Sequence, residues 1–265
     1  MLMPKKSFIA YGLCAQAARV NKHEFALDEN FKVKIDDVLD YIENDKTGRD
    51  KILFLANPNN PTGTYIDKDE LEELLEVCGG RKDLLVVIDE AYNEFVRADD
   101  YPDSLNYGRQ YKNVMILRTF SKVYGLAGLR VGVLLGAPNL LDFIHRVRNP
   151  FNVNRLAQKA VIAAMEDQDY IKRSQQLVWD GLDFFYKNLN EMGLPFIKSQ
   201  GNFVLFNTLR DADEVFQGCL QKGVILRTVK EYKLPTYLRM NVGLPEENQM
   251  AMDVLRQVIS EVKVI

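Results

Sequence analysis

Four short runs of apolar residues, the first three with polar groups gathered at the far end, constrain this chain more than any other feature. Ile52–Ala56 (ILFLA), Leu84–Asp89 (LLVVID), Asn113–Leu117 (NVMIL) and Arg130–Leu135 (RVGVLL) are five or six residues long. That is the length of a strand, too short for a buried helix. Strands apolar on both faces belong to sheets covered on both sides, which are mostly parallel. Between the first two runs the pattern turns helical. A helix begins near Asp67, with Glu70 three residues on as in a capping box, and stops at Gly79-Gly80. Strand–helix–strand order of this kind predicts an α/β fold with a mostly parallel sheet in a large first domain.

The second half reads differently. Residues 139–190 are helical in pattern, with Pro150 as the one marked breaker. Phe203–Phe206, Val224–Arg227 and Tyr237–Val242 follow as short strands, flanked by helices over 211–221 and 246–262. These define a smaller α+β domain, and the expected boundary divides residues 1–166 from 167–265. A net charge of -3 leaves no basic footprint for nucleic acid. No apolar run approaches the ~20 residues needed to span a bilayer. The opening MLMPKKSF places a proline and two lysines where a secretory signal needs an apolar core, so a cytoplasmic location is expected. Cys14, Cys78 and Cys219, widely spaced among apolar residues, read as buried thiols. With two histidines in the chain, no metal site is expected.

Asn60, Asp89, Thr119 and Lys122 all lie at or just past the C-terminal ends of predicted strands, the edge where open parallel sheets gather ligands. A pyridoxal-phosphate site needs a lysine for the Schiff base and an acid on the pyridine nitrogen. It also needs donors on the phenolic oxygen, and cations and hydroxyls for the phosphate. The run Arg118–Gly132 (RTFSKVYGLAGLRVG) offers Lys122, the hydroxyls of Thr119 and Ser121, and Arg130 returning after Gly125 and Gly128. Lys122 alone also reads as a solvated lysine; its small and apolar flanks favour a nucleophilic amine. Asp89 continues an apolar strand and needs a partner, a pyridinium or equally an arginine or a helix cap. Glu90 beside it is the rival acid. Asn57–Gly63 (NPNNPTG) is a tight turn by composition, though it presents the Asn60 amide. Arg239 alternates with apolar neighbours in a predicted strand, which calls for an anionic partner. No glycine-rich loop joins a strand to a helix in the form a P-loop or dinucleotide site requires.

In that order, the strings NPNNPTG, VIDEAYNEF, RTFSKVYGLAGLRVG, RNPFNVN, GNFVLF and YLRMNVG resemble fold-type-I, pyridoxal-phosphate-dependent aminotransferases of the histidinol-phosphate subgroup. The resemblance runs from about Lys6 to the C-terminus. It implies that Lys122 is the Schiff-base lysine and Asp89 the partner of the pyridine nitrogen. Asn60 and Tyr92 fall on the phenolic oxygen; Thr119, Ser121 and Arg130 fall on the phosphate. Phe8, which by residue type alone is ordinary core, aligns with the aromatic that stacks on the cofactor ring. Arg239 aligns with the arginine for the α-carboxylate, and Arg227 with a second arginine of the subgroup; by sequence alone Arg227 is equally a surface ion pair. The implied reaction is transamination between histidinol phosphate and 2-oxoglutarate, with glutamate as the other amino donor, in histidine biosynthesis. The implied assembly is a homodimer. An aromatic aminotransferase, a threonine-phosphate decarboxylase and a non-catalytic remnant are the competing expectations.

The resemblance also implies an N-terminal segment ahead of the Ser7–Tyr11 motif, with an arm, a strand, a helix and a glycine-containing phosphate loop. Met1–Pro4 reads as the tail of a strand leading into that motif. The expectation is a chain without the segment and with weakened cofactor binding.

Overall fold

A computed structural model describes residues 1–264. The first sheet has six strands: β1 (Leu2–Pro4), β2 (His23–Phe25), β3 (Lys51–Ala56), β4 (Leu84–Asp89), β5 (Val114–Thr119) and β6 (Gly132–Leu135). Their spatial order is β2-β1-β3-β4-β5-β6. Every pairing is parallel except β5 with β6. The α/β fold with a mostly parallel sheet is therefore present. Met1–Pro4 does contain a strand, and it lies second from the edge rather than at the rim.

The helices between these strands are α1 (Ile9–Ala17), α2 (Ile35–Asn44), α3 (Lys68–Cys78) and α4 (Ser104–Gln110). The start of α3 matches its sequence signal. Asp67 accepts from the Glu70 N–H at 3.0 Å and Glu70 returns a carboxylate oxygen to the Asp67 N–H at 2.9 Å. One stripe of α3, Leu71, Leu74, Leu75 and Cys78, is buried against Leu53, Leu55, Val86, Ile88 and Ile116 of the sheet. At about 1.5–3 kcal/mol per fully buried aliphatic side chain, this packing holds the strand ends in place.

Residues 139–190 are helical, divided at two points into α5 (Pro138–Val147), α6 (Arg155–Glu166) and α7 (Gln168–Glu191). Pro150 lies in the first break; at the second, Asp167 caps α7 through the Tyr170 N–H at 3.0 Å. The second sheet is antiparallel, in order β7-β8-β10-β9, with β7 (Phe196–Ile197), β8 (Phe203–Asn207), β9 (Arg227–Thr228) and β10 (Tyr237–Asn241). It packs with α7, α8 (Ala212–Gln221) and α9 (Pro245–Glu261) around Phe185, Leu189, Phe203, Phe206, Leu238 and Leu255.

Four expectations change here. The run Arg130–Leu135, read as a strand covered on both faces, pairs only from Gly132 and forms a largely exposed antiparallel edge strand. The strand expected over Val224–Arg227 begins only at Arg227, although Val224 and Leu226 are buried and Ile225 is exposed as a strand pattern would have them. Cys14 is exposed on α1, whereas Cys78 and Cys219 are buried. Phe8 is not core: its side chain is exposed at the N-terminus of α1. No described helix is long and apolar enough to cross a membrane.

Candidate active site

The C-terminal edge of the first sheet builds the site. Asp89 and Thr119 are the last residues of β4 and β5, and Lys122 follows three residues later. Asn60 is carried by the loop after β3. Its neighbours explain why this loop is more than a turn. The Asn57 amide pairs with Ile66 in both directions, at 3.0 and 2.8 Å. Asn59 donates to the Lys6 carbonyl at 2.9 Å and accepts from the Ser7 hydroxyl at 2.9 Å. Buried asparagines thus take up backbone groups that no strand partner satisfies, and they hold the segment that presents Phe8.

Phe8, Asn60, Asp89, Tyr92, Thr119, Ser121, Lys122 and Arg130 all line one cavity of about 310 Å³. The sequence places them in four separate stretches, and the fold brings all eight together. Lys122 Nζ lies 5.0 Å from the centre of the Tyr92 ring. The Tyr92 hydroxyl accepts from Asn60 Nδ2 at 3.1 Å, and its ring stands edge-on to Phe203. Thr119 Oγ1 accepts from the Ser121 N–H at 3.1 Å. Arg130 has a left-handed backbone (φ 54°) and donates to the Ala127 carbonyl at 2.8 Å, closing the turn that returns it to the cavity.

Tyr11 is the residue that sequence reasoning passed over. Its hydroxyl donates to Asp89 Oδ2 at 2.6 Å, and its ring stacks on Phe54 with centroids 5.0 Å apart. The signal was in the Lys6–Tyr11 motif: Tyr11 is one helical turn from Phe8 and shares its face. Burial pushes the Asp89 carboxyl above its usual range, opposed by the Tyr11 hydroxyl and by the Lys122 charge. A carboxylate in such surroundings favours a cationic partner. The protonated ring nitrogen of pyridoxal phosphate answers that need, and Lys122, Thr119, Ser121 and Arg130 supply the amine, hydroxyls and cation the rest of that molecule requires. The residues fit the cofactor.

A second cavity of about 340 Å³ adjoins the first and shares Phe8, Asn60, Tyr92 and Lys122 with it. Arg227 and Arg239 both line it. Arg239 donates to Asn60 Oδ1 at 2.6 Å and lies 5.0 Å from the centre of the Phe203 ring; its Nε is buried without a partner. Arg227 is exposed and pairs with Glu231 at 2.8 Å. Among the described residues no group of acids, histidines and cysteines could hold a metal ion.

A parallel sheet with a lysine, an acid and an anion-binding turn along one edge, and an arginine-lined pocket beside it, defines the class. The chain belongs to the class I and II aminotransferases, a family of pyridoxal-phosphate-dependent transferases whose model matches residues 1–255. It is 47% identical over 262 residues to the histidinol-phosphate aminotransferase of Bdellovibrio bacteriovorus, covering 99% of this chain and 70% of that protein. To the enzyme of the same name from Caldicellulosiruptor saccharolyticus it is 42% identical over 211 residues, covering 80% of this chain and 58% of that protein. Two crystal structures share the fold. The histidinol-phosphate aminotransferase of Sinorhizobium meliloti, in complex with pyridoxal-5'-phosphate, has a TM-score of 0.88 at 24% identity over 98% of this chain and 70% of that one. The enzyme from Clostridium acetobutylicum has a TM-score of 0.89 at 22% identity over 98% and 78%.

Proposed function

We propose that this chain transaminates histidinol phosphate with 2-oxoglutarate, a step of histidine biosynthesis, and that Lys122 is its catalytic residue. The observation that carries the reading is the pair of arginines opening on the same cavity as Lys122. Glutamate presents a carboxylate at the position where histidinol phosphate presents a phosphorylated hydroxymethyl group, and two guanidinium groups of different reach suit both anions. Relatives of the same name at 42% and 47% identity support the same substrate.

Bound in the first cavity, pyridoxal phosphate supplies an electron sink for the pair released when the substrate α-carbon loses its proton. Asp89 holds a proton on the ring nitrogen. Asn60 and Tyr92 would donate to the ring oxygen, Phe8 would pack on the ring, and Thr119, Ser121 and Arg130 would hold the phosphate. Lys122 Nζ would serve as general base and acid, taking the proton from the substrate α-carbon. Arg239 grips the α-carboxylate of glutamate, and Arg227 joins it on the phosphate.

In this reading residues 1–166 hold the cofactor and residues 167–265 supply both arginines. The protein acts in the cytoplasm as a homodimer, with the exposed apolar side chains of α5 and α6 and the segment between them (Val147, Phe151, Leu156) offering the contact. The test is borohydride reduction of the purified protein with pyridoxal phosphate, followed by mass spectrometry and amino-transfer assays. Wild type should gain one covalent cofactor at Lys122 and transfer the amino group of histidinol phosphate. Release of CO2 from threonine phosphate, or preference for aromatic amino acids, would replace the substrate assignment. A Lys122→Ala chain that still transaminates would refute the mechanism.

A further inference from the structure

Glu90 follows the proposed cofactor acid directly and has no part in that mechanism, yet its carboxylate is wholly buried. Arg118 Nε donates to its Oε2 at 2.8 Å, and Nη2 of the same guanidinium lies 2.7 Å from that oxygen as an ion pair. The Tyr101 hydroxyl, which donates to the Asn57 carbonyl at 2.5 Å, lies 3.5 Å from Oε1. The backbone reinforces the same junction: the Glu90 N–H donates to the Leu117 carbonyl at 2.8 Å, and the Asn57 N–H to the Asp89 carbonyl at 2.9 Å. One carboxylate therefore meets the ends of β3, β4 and β5 together.

The alternation of side chains along a strand gives this contact its meaning. Asp89 pairs in register with Leu117, so Asp89 and Thr119 share one face of the sheet and Glu90 and Arg118 the other. Asp89 and Thr119 line the cofactor cavity, and Arg118 reaches its wall. Glu94, partly buried nearby, is the other acid that feels the Arg118 charge. Without Glu90, the Arg118 cation at the cavity wall would face only Glu94, whose carboxyl burial pushes up.

We propose that Glu90 is a positioning residue of the cofactor site: as the buried counter-ion of Arg118 it fixes the strand ends that present Asp89 and Thr119, and it cancels a positive charge at the cavity wall. The inference rests on the reading of that cavity as the pyridoxal-phosphate site.

The experiment titrates the full chain with pyridoxal phosphate and follows the pH at which the visible band of the bound cofactor changes. If wild type shows no saturable band, the reading of the cavity fails, whatever the variants do. Given binding by wild type, Glu90→Gln should weaken it about tenfold or more and move the pH midpoint down by roughly one unit, because a nearby unpaired cation disfavours protonation. Adding Arg118→Met should return the midpoint to the wild-type value, since the net charge is restored. Glu90→Asp, which keeps the charge and withdraws it by one methylene, should weaken binding and leave the midpoint in place. It also stands as the test if Glu90→Gln does not fold. Variants that only lose thermal stability, with affinity and midpoint both as in wild type, would overturn the proposal.

Discussion

Arg239 of β10 and Arg227 of β9 occupy directly opposed positions in an antiparallel ladder. Like charges so placed destabilise a sheet unless something neutralises them. Glu231 does so for Arg227, through a pair exposed enough to be weak. Arg239 has only the neutral amide of Asn60 and the face of Phe203, and its Nε is unsatisfied. A strand pair built this way gains an anion's worth of stability from its ligand.

The two arginines should therefore separate in kinetics. Arg227→Gln should raise KM for histidinol phosphate about tenfold to a hundredfold, the worth of one charge-assisted hydrogen bond, and change the glutamate half-reaction little. Arg239→Gln should impair both. Single-turnover measurements with each amino donor give the comparison; equal losses from Arg227→Gln would remove it from the phosphate.

Tyr11→Phe tests the support of Asp89. The substitution removes one hydrogen bond to a buried carboxylate and keeps the ring that stacks on Phe54. Affinity for pyridoxal phosphate should fall about tenfold, with little change in Tm. Affinity equal to wild type would show that Asp89 needs no such donor.

Much of this was legible in the sequence because it is local. The first three apolar runs, the capping box at Asp67 and the polar strand ends each depend on neighbours a few residues away, and each stands where expected; the fourth run pairs only from Gly132 and lies largely exposed at the sheet edge. What escaped depends on distance along the chain. Tyr11 meets Asp89 across 78 residues and Arg239 meets Asn60 across 179; the spacing of Tyr11 from Phe8 marks its face but not its partner. For Phe8 residue type and resemblance point apart, and Phe8 lines the cavity as the resemblance implies. An aromatic is core by type, and its exposure follows from a cavity assembled by three other segments. At β9 the apolar pattern was right about burial and wrong about pairing, since Val224 and Leu226 are buried without entering the ladder.

Glu94 gives a prediction about pH. Burial raises its carboxyl from 4.5 to about 7. The folded state thus holds the proton more tightly than the unfolded one. Its contribution to stability is complete below pH 4.5 and is lost as pH rises through 7. Glu94→Gln, which stays neutral, should match wild type near pH 4.5 and exceed it at pH 8 by on the order of 2 kcal/mol, seen as roughly 4–8 °C in Tm. A constant offset at both pH values would mean that the carboxyl titrates normally.

Two glycines with nearly the same backbone supply the last test. Gly63 (φ 76°) and Gly80 (φ 77°) are both left-handed, so alanine at either costs about 1 kcal/mol in backbone strain alone. They differ in what surrounds them. A Cβ at Gly80 would meet nothing within 4 Å; at Gly63 it would fall 2.2 Å from Ser199 Oγ and 2.9 Å from Ser199 Cα. Ser199 cannot yield easily, because its N–H is held by the Tyr186 hydroxyl at 2.8 Å and its Oγ by the Gly201 N–H at 3.0 Å. The Gly63 carbonyl also accepts from the Gln200 N–H at 2.8 Å. Gly63→Ala should therefore cost about 3 kcal/mol against about 1 for Gly80→Ala, the difference being overpacking. It should also weaken pyridoxal-phosphate binding, because the loop that must shift carries Asn60. Gly80→Ala should leave binding unchanged. Chemical denaturation and cofactor titration of the two variants side by side decide it: equal costs would mean that the contact with Ser199 relaxes freely, and an unaltered affinity in Gly63→Ala would uncouple the loop from the site.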